Sequence, residues 1–339
     1  MDFKRLITTE EYSFLHTEER LGRHIILLGV SGSYGYGTER EGSDIDFRGV
    51  ALNMPSDLIG LTSFEQYEDR HTDTVIYSFR KMVDMLTACN PNIIEMLGLD
   101  EDMYVIKTEP GQKLLDSRHL FLSRKAAFTF GHYADSQLRK LQNATARDSL
   151  PQSQREEHIL RSVTHALEDF NRKAGLKNDT CTRVYIDKAV TEGMETEIFT
   201  DMHFDHYPLR KVGDLVNTIH AVVKDYDKAG RRNHKKDDRH LNKHAMHLIR
   251  LFMMGIDILE KGEIITHRPD TDLVLLKKIR DGGYMKDGIM TPDFYDIVSE
   301  YEQRFEEAER NSRLPDAPDM AAIEALTEEI NRHAVLEDY

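Results

Sequence analysis

Two aspartates one residue apart, Asp44 and Asp46, lie in the run Ser43-Asp-Ile-Asp-Phe-Arg48, shortly after the glycine-rich stretch Gly29-Val-Ser-Gly-Ser-Tyr-Gly-Tyr-Gly37. Side chains alternate along a strand, so both carboxylates project from one face while Ile45 and Phe47 project into a core. Like charges held that close repel unless a cation lies between them, and hard oxygen donors select Mg²⁺ or Mn²⁺. Gly32, Gly35 and Gly37 let backbone amides approach an anion, and Ser33 adds a hydroxyl donor. Together the two stretches point to a metal-bound polyphosphate. Either alone is weak, because a glycine cluster is often only a tight turn and Asp-x-Asp only a polar strand end. No Gly-Lys-Ser/Thr closes the turn as in a P-loop, and a long helix with a later ribose-binding acid is missing for a dinucleotide site.

A second cluster is cationic. In a helix expected over Arg239 to Lys261, His240, Lys243, His247 and Arg250 fall within ~80° of one another at ~100° per residue, while Ala245, Leu248, Ile249, Phe252 and Met253 cover most of the remainder. Single cations on a helix are more often satisfied by a nearby acid. Four in a stripe favour a triphosphate, with Lys243, His247 and Arg250 neutralising charge on a departing pyrophosphate. Zinc is a weaker alternative for His240, His244 and His247, since no Glu follows the first His and no thiolate is near. The one conspicuous basic run is Arg231-Arg-Asn-His-Lys-Lys236; Arg231, Arg232, Lys235 and Lys236 are candidate RNA contacts, against the alternative of a solvated loop. The net charge of −15 argues against a general nucleic-acid coat, so any such contact must be local.

The elements that must position these residues follow from periodicity. Arg23 to Val30 is mostly apolar and β-branched, and Ser43 to Leu52 is a second strand candidate, so a strand, a glycine turn and another strand frame the motif. The first ~110 residues alternate strand and helix patterns, which predicts an α/β (α+β) mixed sheet with helices against it. Asn90-Pro91 reads as a helix cap with Pro at the first position. From Arg118 the pattern is mainly helical: Ser123 to Ala146, Gln154 to Ala174, Leu209 to Ala229, Arg239 to Lys261 and Pro292 to Arg310. Between these, Thr180 to His206 is a β-prone, acidic insert that suggests a hairpin or flap. A last helix over Met320 to Ala334 presents Ala322, Ile323, Leu326 and Ile330 for docking. The organisation expected is a catalytic domain at 1–115, a mainly helical domain at 116–312 and a linker with a C-terminal helix at 313–339; at 339 residues, more than one core is the default. Cys89 and Cys181 are the only cysteines and lack metal-ligand spacing. With no apolar run near the ~18 residues of a membrane span, a cytoplasmic protein is expected.

Gly32-Ser33 followed by Ser43-Asp44-Ile45-Asp46 resembles the signature of the DNA polymerase β nucleotidyltransferase superfamily. Further stretches resemble its RNA repair pathway, RNA-ligase-associated branch of bacteria and large phages. These are Gly32 to Thr38, Ser43 to Val50, Asp73 to Lys81 with Asn90 to Glu95, Tyr133 to Leu138, and Lys243 to Leu251. The resemblance implies a polymerase-β-type fold and a third carboxylate on a neighbouring strand. Asp73, which opens Asp73-Thr-Val-Ile-Tyr-Ser-Phe79, is the best candidate, with Glu68 and Asp69 as fallbacks. It further implies that Asp44, Asp46 and Asp73 hold Mg²⁺ or Mn²⁺, that Gly32, Ser33 and Ser43 contact the nucleotide, and that a nucleoside monophosphate moves from a nucleoside triphosphate such as ATP to an acceptor. The implied acceptor is a tRNA-like RNA end, and the implied functional associate an RNA ligase. Arg48, two residues beyond Asp46, is equally a contact to acceptor or phosphate and a structural ion pair with a metal-site acid. A protein or small-molecule acceptor is the alternative; a non-catalytic nucleotide-binding module is a third.

Overall fold

Ile25 to Val30 contains no polar side chain, and it forms β1 (Ile25–Ser31), every residue of which is buried. The structure is a computed structural model describing residues 1–149, 182–190, 196–202, 238–286 and 288–336, with positions 160, 209, 212, 213 and 216. β1 is joined by β2 (Asp46–Ala51), β3 (Gln66–Asp69), β4 (Thr74–Ser78) and β5 (Tyr104–Lys107) in a five-stranded sheet of order β3-β4-β2-β1-β5. All neighbours are antiparallel except β2 and β4, which run parallel. This is the mixed sheet expected. The N-terminal residues Ile7, Tyr12, Leu15 and Leu21 pack with Ile25, Leu28, Val30, Phe47, Ala51 and Ile76 into one core.

Between β1 and β2 lies one helical turn, α1 (Gly32–Gly35). After β4, α2 (Phe79–Thr87) starts where the Ser78 side chain accepts from the Lys81 N–H, and it buries Phe79, Met82, Val83 and Leu86 at helical spacing. The short α3 (Pro91–Ile94) begins as expected, with the Asn90 side chain accepting from the Asn92 N–H and Pro91 at the first position. Among the described residues the long helices are α4 (Lys125–Ser149), α5 (Asp238–Lys261), α6 (Asp270–Arg280), α7 (Pro292–Asn311) and α8 (Met320–Leu336). α5 is mostly buried, from Leu241 to Leu259, and α8 buries Ile323, Leu326 and Ile330.

The chain divides into two compact units. The first comprises Met1–Leu138, Asn242–Tyr284 and Thr291–Tyr339, and the second Arg139–Leu241 with Met285–Met290. Within the second, β6 (Thr182–Lys188) and β7 (Thr196–Met202) form an antiparallel hairpin in unbroken register from Thr182↔Met202 to Lys188↔Thr196. The described part of the β-prone insert is thus a pair of antiparallel strands. The helix expected over Gln154 to Ala174 and most of that over Leu209 to Ala229 lie outside the described residues. No helix among the described residues is long and apolar enough to cross a membrane.

Candidate active site

Sheet register brings the acids together. Ser31 on β1 is opposite Asp46 on β2, and Phe47 on β2 is opposite Thr74 on β4. The end of β1, the start of β2 and the start of β4 therefore meet at one end of the sheet. Asp73, the residue before β4, stands in left-handed backbone conformation with φ of 46°. Its neighbours hold it there: its main-chain oxygen accepts from the Phe47 N–H at 3.2 Å and from Arg48 Nη1 at 2.6 Å, and its carboxylate accepts from Arg48 Nη2 at 3.0 Å. Arg48 Nη2 is also 3.8 Å from Asp46 Oδ1. Arg48 thus forms the ion pair weighed above.

Asp46 and Asp73, both paired with Arg48, lie close enough for each carboxyl to act on the other's proton. Burial first, then the hydrogen bond to Asp73 and the Asp73 charge, push Asp46 up to about 6 against the pull of Arg48 and Lys243. Asp73 is lowered in turn, by its hydrogen bond with Asp46 and then by Arg48 and Lys243, with burial opposing them. Two carboxyls that act on each other in this way suit a hard divalent cation, which would offset both charges.

Gly32 makes this packing possible. It has φ of 62°, and a Cβ placed there would lie 1.8 Å from Asp46 Oδ2. Gly32→Ala is expected to cost at least about 1–2 kcal/mol from backbone strain, plus the displacement of the Asp46 carboxyl. A urea melt reads this directly; an unchanged midpoint would mean that the turn tolerates a side chain.

Asp44 is placed differently from the expectation. β2 begins at Asp46, not Ser43, and Asp44 is exposed ahead of it. The cause is the turn before it: the Ser43 N–H donates to the Arg40 carbonyl at 2.9 Å, and the Arg40 N–H donates to Ser43 Oγ at 2.8 Å, which holds the chain off the ladder. Asp44 thus precedes the strand on which its alternation with Asp46 was expected. Among the described residues, no three His, Cys, Asp or Glu side chains converge as a ready metal cage.

The cationic stripe is only partly brought to the acids. Lys243 is exposed on α5, and its charge acts on both Asp46 and Asp73. His247 is half-buried one turn further on, His240 is exposed, and His244 Nδ1 lies 2.9 Å from Gln137 Oε1. Arg250 is buried. Its guanidinium stacks 3.6 Å from the centre of the Tyr36 ring, and Nη2 is 3.5 Å from Glu95 Oε2. The Tyr36 hydroxyl donates to the same Glu95 oxygen. Burial, more than the Glu95 charge, drives the Tyr36 hydroxyl well above its usual range. Arg250 thus clamps the glycine stretch to α3 and the residues after it. Tyr36 and Glu95 were missed as a pair; the signal available was a tyrosine between two glycines and an acid shortly after the Asn90-Pro91 cap. Ser33 is half-buried on α1, its carbonyl accepting the Thr38 N–H at 2.9 Å. Arg231, Arg232, Lys235 and Lys236 lie outside the described residues.

Residues 7–167 match the model of the RNA repair pathway DNA polymerase beta family. The match supports the resemblance drawn from the glycine turn and the Ser43 to Asp46 motif, and it contains all five strands of the sheet with Asp46, Arg48 and Asp73. No curated protein and no solved structure matches the chain.

Proposed function

With residues 7–167 in the RNA repair pathway DNA polymerase beta family, we propose that the chain is a metal-dependent nucleotidyltransferase. It moves a nucleoside monophosphate from a nucleoside triphosphate to the hydroxyl of an RNA end and releases pyrophosphate. The observation that carries this reading is the pair Asp46–Asp73, held in contact by Arg48 beside the glycine turn.

Asp46 and Asp73 would hold Mg²⁺ or Mn²⁺, with exposed Asp44 as a further donor. The cation, when bound, would draw charge off the triphosphate oxygens and acidify the attacking hydroxyl. Asp73, the carboxylate bonded by Arg48, would assist removal of the hydroxyl proton. Arg48 keeps Asp73 in its strained conformation by binding both its main chain and its side chain. Ser33 and Ser43 would contact phosphate oxygens, and Lys243 would offset the charge building on the leaving pyrophosphate. Half-buried His247, one turn along α5, would serve the same phosphates.

A proton on Asp46 competes with the cation, so Mn²⁺ affinity should fall about tenfold per pH unit below about 6 and level off above it. Paramagnetic titration at pH 5, 6, 7 and 8 measures this. An affinity independent of pH over that range would remove Asp46 from the site. The acceptor is tested by offering each labelled nucleoside triphosphate with intact and cleaved tRNAs. Label on RNA supports the proposal, whereas label on protein alone selects a protein acceptor.

A further inference from the structure

Away from the two acids, the turn that carries Ser43 meets the last residue of α6 in a cluster of guanidinium groups. Arg40 pairs through Nη2 with Asp281, whose side chain is 65% exposed. Arg280 directs Nη2 at Ser43 Oγ, 3.4 Å away. Its Nη1 is buried and has no hydrogen-bond partner among the described residues. Burial and then the neighbouring Arg40 oppose the Arg280 charge, Arg250 adds to this, and Asp281 and Glu39 offset it only in part. A guanidinium stays charged and carries five donors in a planar fork. Here the Arg280 fork reaches Ser43 through Nη2 with Nη1 left over, while the Arg40 guanidinium beside it is bonded to exposed Asp281 and Arg40 meets Ser43 through its main-chain N–H.

Ser43 Oγ already accepts from the Arg40 N–H and from Arg280, so its own proton is left to donate. The unpartnered Arg280 Nη1, the Ser43 hydroxyl and the neighbouring Arg40 charge match an anion with several acceptor oxygens, and arginine is the residue suited to gripping phosphate in a planar, bidentate way. We infer that Arg40, Ser43 and Arg280 form a phosphate-binding site on the turn that leads into Asp46. The inference rests on the proposed transfer reaction only for the source of the phosphate, which is either the terminal phosphates of the triphosphate or a phosphate of the acceptor strand.

The test uses the full chain, titrated calorimetrically with inorganic triphosphate and, separately, with a short single-stranded RNA, as wild type, Arg280→Ala, Arg280→Lys and Arg40→Ala. Arg280→Ala is expected to weaken binding of one of these ligands at least tenfold, with partial recovery in Arg280→Lys. Arg40→Ala, at the more exposed arginine, should weaken the same ligand and so provides the result even if Arg280→Ala fails to fold. Loss confined to triphosphate assigns the nucleotide, and loss confined to RNA assigns the acceptor. Wild-type affinity for both ligands in Arg40→Ala and in folded Arg280 variants, or no binding of either by the wild type, overturns the site. Transfer measured in parallel keeps the two claims apart. Transfer by the wild type with anion affinity untouched in the variants sinks the site alone; selective loss of anion binding with no transfer by the wild type sinks the reaction alone.

Discussion

Asparagine at position 46 is expected to lower nucleotide transfer at least about a hundredfold while leaving the protein no less stable. The amide keeps the shape of the carboxyl and its ability to hydrogen-bond Asp73, and loses only the charge a cation needs. That charge is disfavoured where it sits, since burial and Asp73 push the Asp46 carboxyl up to about 6 from the usual carboxylate value of 3.8. For an acid raised on folding, the stabilising contribution is full below the unfolded value and disappears as pH rises through the folded one. At pH 8 without divalent metal the wild type therefore carries an unfavourable carboxylate that the asparagine variant lacks. Its thermal midpoint should equal or exceed that of the wild type, while its transfer rate collapses. A variant that lost transfer and stability together would show Asp46 to be a structural residue and not a metal ligand.

The second large effect concerns Arg250. Truncating it to alanine removes the cation stacked on Tyr36 and leaves Glu95, only 8% exposed, without its ion-pair partner. Breaking a buried pair from one side typically costs about 3–5 kcal/mol, because the remaining charge stays buried. Arg250→Ala is expected to fall in that range in a urea melt. Adding Glu95→Gln should recover part of the loss by removing the orphaned charge, which a double-mutant cycle would register. A loss below about 1 kcal/mol would mean that Arg250 is dispensable to the clamp.

Much of this arrangement is legible in the sequence, since it depends on local periodicity. β1, α5, α7 and α8 follow from runs of apolar residues with the right spacing, and the mixed sheet follows from the alternation of strand and helix patterns. Asp46 and its neighbour Arg48 are readable because strand alternation fixes their common face. Asp44 precedes the strand, which starts three residues later than expected, after a turn closed by a side-chain hydrogen bond at Ser43, and such a bond leaves no periodic trace. Arg250 shares a helix stripe with Lys243, but helical angle says nothing of depth, and the tyrosine and glutamate that bury it come from segments more than 150 residues away. The arginines around Ser43 are hidden for the same reason, since residues 40 and 280 meet only through the tertiary fold.

The most direct test of the central claim, that Asp46 and Asp73 form the metal centre of a nucleotidyltransferase, is incorporation of labelled nucleotide into cleaved tRNA with matched release of pyrophosphate. It is measured with Mg²⁺ or Mn²⁺, with chelator, and in an Asp44→Ala/Asp46→Ala variant. We predict label on RNA and equimolar pyrophosphate from the wild type with metal, and neither with chelator or from the variant. Undiminished incorporation by the variant, or metal-dependent nucleotide binding with no transfer to any acceptor, would contradict it.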